Sequence, residues 1–423
     1  MFKRIKLLSC ILSVLFILSA CQGSSNSSST SNYSTDYEVL EAYASNLKDS
    51  DGKVVTPFNT SVTFRAFCEK DYKELYPLFN ERIIALHKQF DRHHNYKDAE
   101  GNVINNLKVI NDSYGTGETI EVSSEMIGLL EQSIEMSVLT KGYFNPTLGE
   151  LTDIWTYSTN EEGIKSQRFS PYCFEDEDPS SNEIEEGMSS IVPYDQLENI
   201  IEINKENKTV KFNKYNNIEK VTISLGAIAK GYAIELVKKE LEVFNVPVSI
   251  SGGSSSSYTL GKNPNPERDY WIVGIAAPYK TGFNVNAMLS VNFHQTYTLS
   301  VSGDYESSYY VMDEDKKIIR HHILNPFTGY PENHMRVLSL WSNTNSGVLD
   351  ALSTALFNMS SSETILETIY SVEDYYKMDI EVLYEVEKDA SKKKIDLYMT
   401  KDYKAIVNQY NTAYFNGVYT IDE

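Results

Sequence analysis

The segment Ser224-Leu-Gly-Ala-Ile-Ala-Lys-Gly-Tyr-Ala233 is the stretch around which the rest of the chain is best understood. A β-rich stretch, Val221–Ser224, passes through small residues into a helix that is predicted to begin near Ala229. Small side chains let a ligand approach the backbone, and the amino end of a helix attracts anions. With Lys230 at that end, the segment predicts a phosphate site, although Lys230 taken singly could be an ordinary solvated lysine.

The sequence on both sides of this segment predicts a mixture of helices and grouped strands. Apolar residues at helical spacing predict helices over 72–90, after Ser123 or Ser124 as the N-cap with Gly142 as the C-cap, and over about 348–359. The predicted strands are 200–203, 209–212, 247–250, 271–276, 287–293 and 296–300, with a closing hairpin over 380–398. Because the strands are grouped rather than alternating strictly with helices, the fold class is α+β, with an antiparallel or mixed sheet and flanking helices.

Three further parts of the chain are rich in small and polar residues. They are Gly142–Trp155, the two stretches Ser302–Tyr305 and His321–Pro331 taken together, and Leu349–Ala355. In the last, Asp350 and Thr354 are four residues apart, so a helix would present their oxygens on one face. Thr354 could instead bond to its own helix, and His322 could be a structural histidine. Each such alternative is reasonable alone, but these segments taken together favour a site.

Composition excludes several functional classes. The chain of 423 residues has 38 Lys and Arg against 59 Asp and Glu, a formal net charge of −21. Nucleic-acid binding needs clustered basic residues, so no nucleic-acid partner is expected. The sequence also lacks the Gly-x-Gly-x-x-Gly, P-loop, His-Glu-x-x-His and Gly-x-Ser-x-Gly motifs, which disfavours simple Rossmann enzymes, P-loop NTPases, zincins and α/β-hydrolases.

The amino terminus has the pattern of a targeting segment. Residues 1–20 read as a secretory signal, with basic residues before an apolar run that is too short for a transmembrane helix. The run ends in Leu18-Ser-Ala-Cys21, which resembles the lipobox of bacterial lipoproteins, where the cysteine takes a diacylglycerol. Residues 21–50 are then predicted as a polar tether and 51–423 as the folded domain, with an acidic surface insertion at about 157–192. A cleaved signal without lipid is the alternative, and a Cys68–Cys173 disulfide stays open.

In this order the segments resemble those of the FAD:protein FMN transferase family, also called the ApbE family. The resemblance rests on Gly142-Tyr-Phe-Asn-Pro-Thr-Leu-Gly149, on the segment at 224–233, on Ser302-Gly-Asp-Tyr305, on His322-Ile-Leu-Asn-Pro-Phe-Thr-Gly-Tyr-Pro331, and on Asp350-Ala-Leu-Ser-Thr354. It extends from about Pro57 to the end of the chain. It implies an ApbE-type α+β fold and fits the lipobox, since many members are extracytoplasmic lipoproteins, which predicts a lipid-anchored protein on the outer face of the cell membrane.

The resemblance also implies an activity and a set of site residues. The activity is Mg²⁺-dependent transfer of FMN from FAD to a Thr or Ser hydroxyl of an acceptor flavoprotein, with release of AMP. Asp350, Thr354 and the carbonyl of Ala227 correspond to the metal ligands, Lys230 would hold the diphosphate, and His322 would take the acceptor proton. The remaining positions that match the family's FAD site are Phe58, Tyr96, Phe144, Asn145, Thr147, Ser224 and Leu324.

Three departures from the family pattern bear on this interpretation. Ser224 stands where the family usually has an Asp that is expected to bind FAD, Glu150 replaces a common proline, and Phe58-Asn-Thr60 replaces Met-Gly-Thr. Two other functions therefore stay open. One is an FAD pyrophosphatase that releases FMN and AMP, and the other is a non-catalytic, lipid-anchored flavin-binding protein.

Overall fold

The computed structural model describes residues 38–43, 47–68, 75–159, 162–253, 255–265, 267–279 and 287–422. Within these ranges the helices are α1 (Leu75–Phe90), α2 (Leu107–Asp112), α3 (Ser124–Leu139), α4 (Gly149–Thr156), α5 (Ser181–Ser189), α6 (Leu197–Ile200), α7 (Ala229–Leu241), α8 (Ser346–Phe357), α9 (Ser362–Tyr376) and α10 (Lys401–Ala405).

The strands in the same ranges are β1 (Glu38–Tyr43), β2 (Leu47–Lys48), β3 (Val54–Val55), β4 (Val62–Cys68), β5 (Thr119–Glu121), β6 (Tyr157–Thr159), β7 (Lys165–Gln167), β8 (Ile201–Asn204), β9 (Thr209–Phe212), β10 (Val248–Gly252), β11 (Ser256–Leu260), β12 (Trp271–Ala276), β13 (Ala287–Phe293), β14 (Tyr297–Gly303), β15 (Ser308–Asp313), β16 (Lys316–His321), β17 (Val337–Ser342), β18 (Glu381–Asp389), β19 (Lys394–Met399), β20 (Val407–Tyr410) and β21 (Phe415–Thr420).

One large sheet organises these elements. Its strand order in the described part of the chain is β1-β4-β10-β11-β14-β17-β18-β19-β21, and every neighbouring pair is antiparallel except β19 and β21. The fold class predicted from the sequence, α+β with a mixed sheet and flanking helices, is confirmed.

Strand β14 shows how the sheet separates two cores. Alternate side chains of a strand point to opposite faces. On one face of β14, Tyr297 and Leu299 pack in a cluster that also contains residues of β12 and β13. On the other face, the Thr298 hydroxyl hydrogen-bonds to that of Ser346 (2.6 Å), and the Ser302 hydroxyl to that of Ser353 (2.9 Å). The polar face of β14 therefore packs against α8 through hydrogen bonds between hydroxyl groups.

Helix α8 is the central helix of the larger core. Every residue from Ser346 to Phe357 is buried except Thr354. Burial of its Leu and Phe side chains stabilises the fold by roughly 1.5–3 kcal/mol each. The Asn345 side chain caps its amino end by accepting a hydrogen bond from the Val348 N–H (3.3 Å). A rigid, buried helix thus carries both Asp350 and Thr354 into the site.

Helix α7 lies very close to α8, and Gly231 makes this approach possible. A Cβ atom at Gly231 would stand 2.2 Å from the Ser346 carbonyl oxygen and 2.8 Å from the Asp350 Cβ. Both distances are shorter than real contacts allow, so a side chain here would force the helices apart. The small residues in the segment at 224–233 therefore serve helix packing as well as access to the backbone.

Most predicted elements occur where the sequence placed them, including 271–276, 287–293 and the closing hairpin. The interpretation of Val221–Ser224 as a sheet strand is wrong. These residues instead pair with a turn, since Gly149 N–H donates to the Thr222 carbonyl (3.0 Å) and Ser224 N–H to the Pro146 carbonyl (2.7 Å). The cap of α3 is Thr140 rather than Gly142, which follows in a turn with φ of 87°.

The segments predicted as tether and insertion contain regular structure. Residues 1–37, including the predicted signal and Cys21, lie outside the described residues, but Glu38–Tyr43 pair with β4 in the large sheet. The acidic stretch holds the β6–β7 hairpin and α5. Its Asp178 is not a solvated loop charge, because Arg320 and Tyr309 both donate hydrogen bonds to it. Cys173 is a free cysteine.

The packing of α7 on α8 yields a stability prediction. Gly231→Ala should lower the free energy of unfolding by about 2 kcal/mol, because overpacking outweighs the better helix propensity of alanine. Gly226→Ala is the matched control from the same segment, since its Cβ would meet nothing within 4 Å. Thermal unfolding of both variants measures the difference. Equal melting temperatures would contradict the role assigned to Gly231.

Candidate active site

Asp350 is the centre of the candidate site. Its carboxylate is 5% exposed and accepts three hydrogen bonds. Oδ2 accepts from the Gly231 N–H (3.0 Å), and Oδ1 accepts from the hydroxyls of Ser256 (3.1 Å) and Ser300 (3.2 Å). These donors come from α7, β11 and β14, so four elements of the fold meet at one carboxylate.

The contact with Gly231 also completes the amino end of α7. The first N–H groups of a helix have no partner within the helix, and the residue before α7, Ile228, has no side chain that could cap them. Asp350 takes this role from another helix by accepting from Gly231. The amino end of α7 and its partial positive charge are thereby fixed beside Asp350, where an anionic ligand would be stabilised.

Lys230 lies at the same place. Its Nζ is 4.0 Å from Asp350 Oδ2 and donates a hydrogen bond to the Gly226 carbonyl (3.3 Å). The Lys230 side chain is 20% exposed, so its charge faces accessible space rather than the core. A cation beside a helix amino end is suited to a diphosphate, as the sequence predicted.

The residues predicted as metal ligands provide oxygen atoms suited to a hard divalent cation. A carboxylate has about four lone pairs, and three are used at Asp350, which leaves one on Oδ2. Thr354 is partly exposed one turn further along α8, and its hydroxyl bonds only loosely to the Asp350 carbonyl (3.4 Å). Ala227 is partly exposed just before α7. Carboxylate, hydroxyl and carbonyl oxygens are ligands that Mg²⁺ accepts, so these residues fit the ion.

Two adjacent histidines differ sharply in their surroundings. His321 is fully buried, accepts a hydrogen bond from the Ile323 N–H (3.3 Å) at Nδ1 and donates Nε2–H to the Glu332 carbonyl (2.9 Å). Burial lowers the pKa of His321 to about 3. Both of its ring nitrogens are used, so His321 holds the chain in place and cannot accept a proton from a substrate.

His322 keeps one nitrogen free of these roles. It is exposed, and its Nδ1 lies 3.3 Å from the Ser307 carbonyl oxygen. A carbonyl only accepts, so Nδ1 carries the hydrogen and the lone pair is on Nε2. Desolvation by the surrounding protein lowers the pKa of His322, the Ser307 hydrogen bond raises it, and the positive charge of Lys230 lowers it. The ring is therefore neutral at neutral pH, as a general base requires.

The turn after α3 is built from two of the predicted FAD-site residues. Asn145 Oδ1 accepts from the Thr147 N–H (2.9 Å) and hydroxyl (2.8 Å), and its amide donates to the Val192 carbonyl (2.8 Å). Phe144 is buried in the main core. These polar contacts of Asn145 and Thr147 all lie within the protein, and they fix the turn that pairs with Ser224 through Pro146.

The other predicted FAD-site residues lie in two places. Ser224 is partly exposed, and Leu324 is buried two residues after His322, with its carbonyl accepting from the Asn358 amide (3.1 Å). Phe58 and Tyr96 meet at His87, whose Nδ1 accepts from the Phe58 N–H (3.1 Å). Tyr96 is buried and donates its hydroxyl to Asp91 (2.6 Å), so its ring is enclosed by protein.

The segment Ser302–Tyr305 supports the site rather than facing it. Asp304 is buried and forms an ion pair with Arg336, which also pairs with Glu387 (2.5 Å). Burial raises the pKa of Asp304 to about 6, against the opposing effect of Arg336. This cluster joins the end of β14 to β17 and β18.

Sequence reasoning missed the residues that orient Asp350. Ser256 and Ser300 were not singled out, and neither was the N–H of Gly231. The alternation Thr298-Leu-Ser300-Val-Ser302 was a usable signal, because three small hydroxyl residues on one face of a strand are unusual in a hydrophobic sheet.

Two further observations concern metals and membranes. Among the described residues, no group of three or more His, Cys, Asp or Glu side chains could hold a metal ion, so a cation at Asp350 would rely on hydroxyl, carbonyl, water and substrate oxygens. Within the same described ranges, no helix is both long and apolar enough to cross a membrane.

Solved structures with the same fold are flavin transferases or carry the family's name. An ApbE protein from Thermotoga maritima superposes with a TM-score of 0.62 at 22% identity, covering 88% of this chain and 100% of that one. The flavin transferase ApbE from Vibrio cholerae gives 0.60 at 18% identity, covering 87% and 100%. The architecture is therefore that of this class of proteins.

The sequence comparisons specify the family. The ApbE family model matches residues 58–375, and the chain belongs to the ApbE family. The FAD:protein FMN transferase of Haemophilus influenzae is 26% identical over 64% of this chain and 68% of its own length. That of Treponema pallidum is 23% identical over 59% and 64%. The chain thus spans about two thirds of these relatives, and the expectation of an enzyme of this family is confirmed.

Proposed function

We propose that this protein transfers FMN from FAD to a Thr or Ser hydroxyl of an acceptor flavoprotein and releases AMP, with Mg²⁺ bound at Asp350, Thr354 and Ala227. The observation that carries the proposal is the convergence of Lys230, Asp350 and the amino end of α7 on one side and the free Nε2 of His322 on the other. The Asn358 amide donates to the carbonyls of both Thr354 (3.4 Å) and Leu324 (3.1 Å), so the loop that follows His322 lies against the end of α8 that carries Thr354.

The chemistry follows from these groups. The acceptor oxygen attacks the phosphorus next to riboflavin, its proton goes to His322 Nε2, and the bond to the oxygen that leaves with AMP breaks. Lys230 holds the diphosphate, and its charge together with the partial positive charge at the amino end of α7 offsets the negative charge of the phosphates. Bound Mg²⁺ would supply Lewis-acid stabilisation of the departing phosphate.

Hydrolysis of FAD is the second candidate function, since His322 is exposed and could take a proton from water as readily as from a hydroxyl group. Incubation with FAD, Mg²⁺ and a flavin-acceptor domain separates the two reactions. Transfer gives a fluorescent acceptor in a denaturing gel, whereas hydrolysis gives free FMN. FAD that stays intact would instead support a non-catalytic flavin-binding protein.

The state of His322 predicts a pH profile. Its pKa lies below the ordinary 6.5, so the neutral base persists at mildly acidic pH and kcat/KM should fall only below that value. His322→Gln should lower transfer by roughly 10²–10⁴-fold and remove the acidic limb. His294→Gln, at an exposed histidine on the β13–β14 turn, is the control and should keep the parental profile. An acidic limb that survives in His322→Gln would assign it to another group.

The metal assignment is tested by removing charge without removing hydrogen bonds. In Asp350→Asn the amide oxygen can accept from Gly231 and the amide nitrogen can donate to Ser256 and Ser300, whereas alanine would leave these donors without a partner. Asp350→Asn should therefore keep its melting temperature but need at least about tenfold more Mg²⁺ for transfer, and raising Mg²⁺ should rescue Thr354→Ala more readily. Asp374→Asn, on the exposed face of α9, is the control. Parental activity with an unchanged Mg²⁺ requirement in Asp350→Asn would exclude the site.

We further propose that the protein is anchored by lipid on Cys21 at the outer face of the cell membrane, as the sequence Leu18-Ser-Ala-Cys21 suggests. Cys21→Ala should move the protein out of the membrane fraction or leave an unprocessed precursor. Cys173→Ala is the control, since Cys173 is a free cysteine far along the chain. Processing and fractionation of Cys21→Ala like the parent would refute the anchor.

A further inference from the structure

A groove of about 620 Å³ lies between α5 and the loop that follows His322. Its lining includes Ile184, Glu185, Met188, Ser189, Thr328 and Tyr330. The proposed transfer chemistry uses none of these residues. The groove therefore has no role in the reaction as described so far.

The groove wall and the proposed base belong to the same short stretch of chain. His322 precedes the loop, and the bridge between Leu324 and Pro331 closes it. The middle of the loop is fixed to helix α4 by a hydrogen bond from Trp155 Nε1–H to the Gly329 carbonyl (2.8 Å). A Cβ at Gly329 would stand 2.9 Å from both Ile184 and Met188, so α5 lies directly on the loop.

A second connection runs through β15. The Ser307 carbonyl that orients His322 is followed by Ser308, which exchanges backbone hydrogen bonds with Ser170 (3.0 and 3.2 Å). The acidic segment at 157–192 thus contacts both the strand that follows Ser307 and the loop that follows His322. Tyr330 in the groove wall is next to Pro331, which pairs with Leu324, two residues after His322.

The groove is lined by apolar side chains and by one carboxylate, Glu185, and it lies beside an acidic segment of the chain. Residues 175–189 include seven Asp and Glu and no Lys or Arg. Asp178 is paired with Arg320, and Glu183 is used in the capping box with Ser180, but Glu185 and Glu186 are exposed. The apolar part of the groove lining is Ile184, Met188 and the ring of Tyr330. Such a surface is complementary to a segment with basic and apolar side chains.

We propose that this groove binds the part of the acceptor flavoprotein that flanks its acceptor hydroxyl, and that this part carries Lys or Arg residues. The inference rests on the proposed function, because it needs an acceptor protein. It assigns acceptor selection to the acidic segment and leaves FAD binding to the region around Asp350. Exposed carboxylates near the site would also speed the encounter with a basic partner.

The test uses two short fluorescein-labelled peptides with a single central Thr, one with flanking Lys and one with flanking Glu, and the purified full-length protein. The Lys peptide should bind and the Glu peptide should not. Glu185→Lys and the groove-filling Ser189→Tyr should each weaken binding of the Lys peptide at least about fivefold, and should raise KM rather than lower kcat where the peptide is flavinylated.

Matched controls separate the groove from the general acidity of the protein. Glu367→Lys makes the same charge change, and Ser371→Tyr the same size change, at exposed positions of α9. Ser371 and Ser189 each donate their hydroxyl to a carbonyl of their own helix, so the local cost of the two substitutions is similar. Equal weakening by α9 and groove variants, or no binding of the Lys peptide, would overturn the inference.

The two proposals can fail separately. FAD binding and FAD cleavage should be parental in Glu185→Lys and Ser189→Tyr. If the parent protein binds the Lys peptide in the groove but transfers FMN to no acceptor, the proposed function fails. If it transfers FMN and the groove variants keep the parental KM and peptide affinity, the docking surface fails.

Discussion

The arrangement of the site depends on the hydrogen bonds that the buried carboxylate of Asp350 accepts. This carboxylate accepts hydrogen bonds from α7, β11 and β14 while standing on α8, and its nearest cation, Lys230, is 4.0 Å away. Hydrogen bonds to a charged group contribute about 1.5–3 kcal/mol each, while desolvation of a buried ion costs several kcal/mol. Three donors therefore offset much of this cost, and the elements that supply them are held in one geometry.

The sequence could predict the elements whose pattern is local. Helices α1, α3 and α8 were found because their apolar residues recur at helical spacing, and strands β12 and β13 because β-favouring residues are contiguous. The error at Val221–Ser224 has a physical cause: its backbone bonds to the turn at Pro146 and Gly149 rather than to a strand of the sheet. The local residue pattern indicates a strand-like backbone, but it does not indicate which segment the backbone will hydrogen-bond to.

The same limit applies to the site. Asp350, Thr354 and Lys230 could be proposed because motif order and residue chemistry are visible in the sequence, and the structure places them together. The donors to Asp350 come from positions 50, 94 and 119 residues away, so no local signal connects them. The contrast between His321 and His322 also depends on distant carbonyls, at Glu332 and Ser307.

The loop between His322 and Pro331 links catalysis to recognition. The proposed base, His322, stands at the start of the loop and is oriented by its hydrogen bond to the Ser307 carbonyl. The middle of the loop, at Gly329, is bonded to Trp155 and packs under α5. The loop is short and is closed by the Leu324–Pro331 bridge, so its backbone has little freedom to move. In the proposed docking, a partner bound against α5 would meet a base whose position is already set. Alignment of acceptor and base then depends on docking rather than on rearrangement of the site.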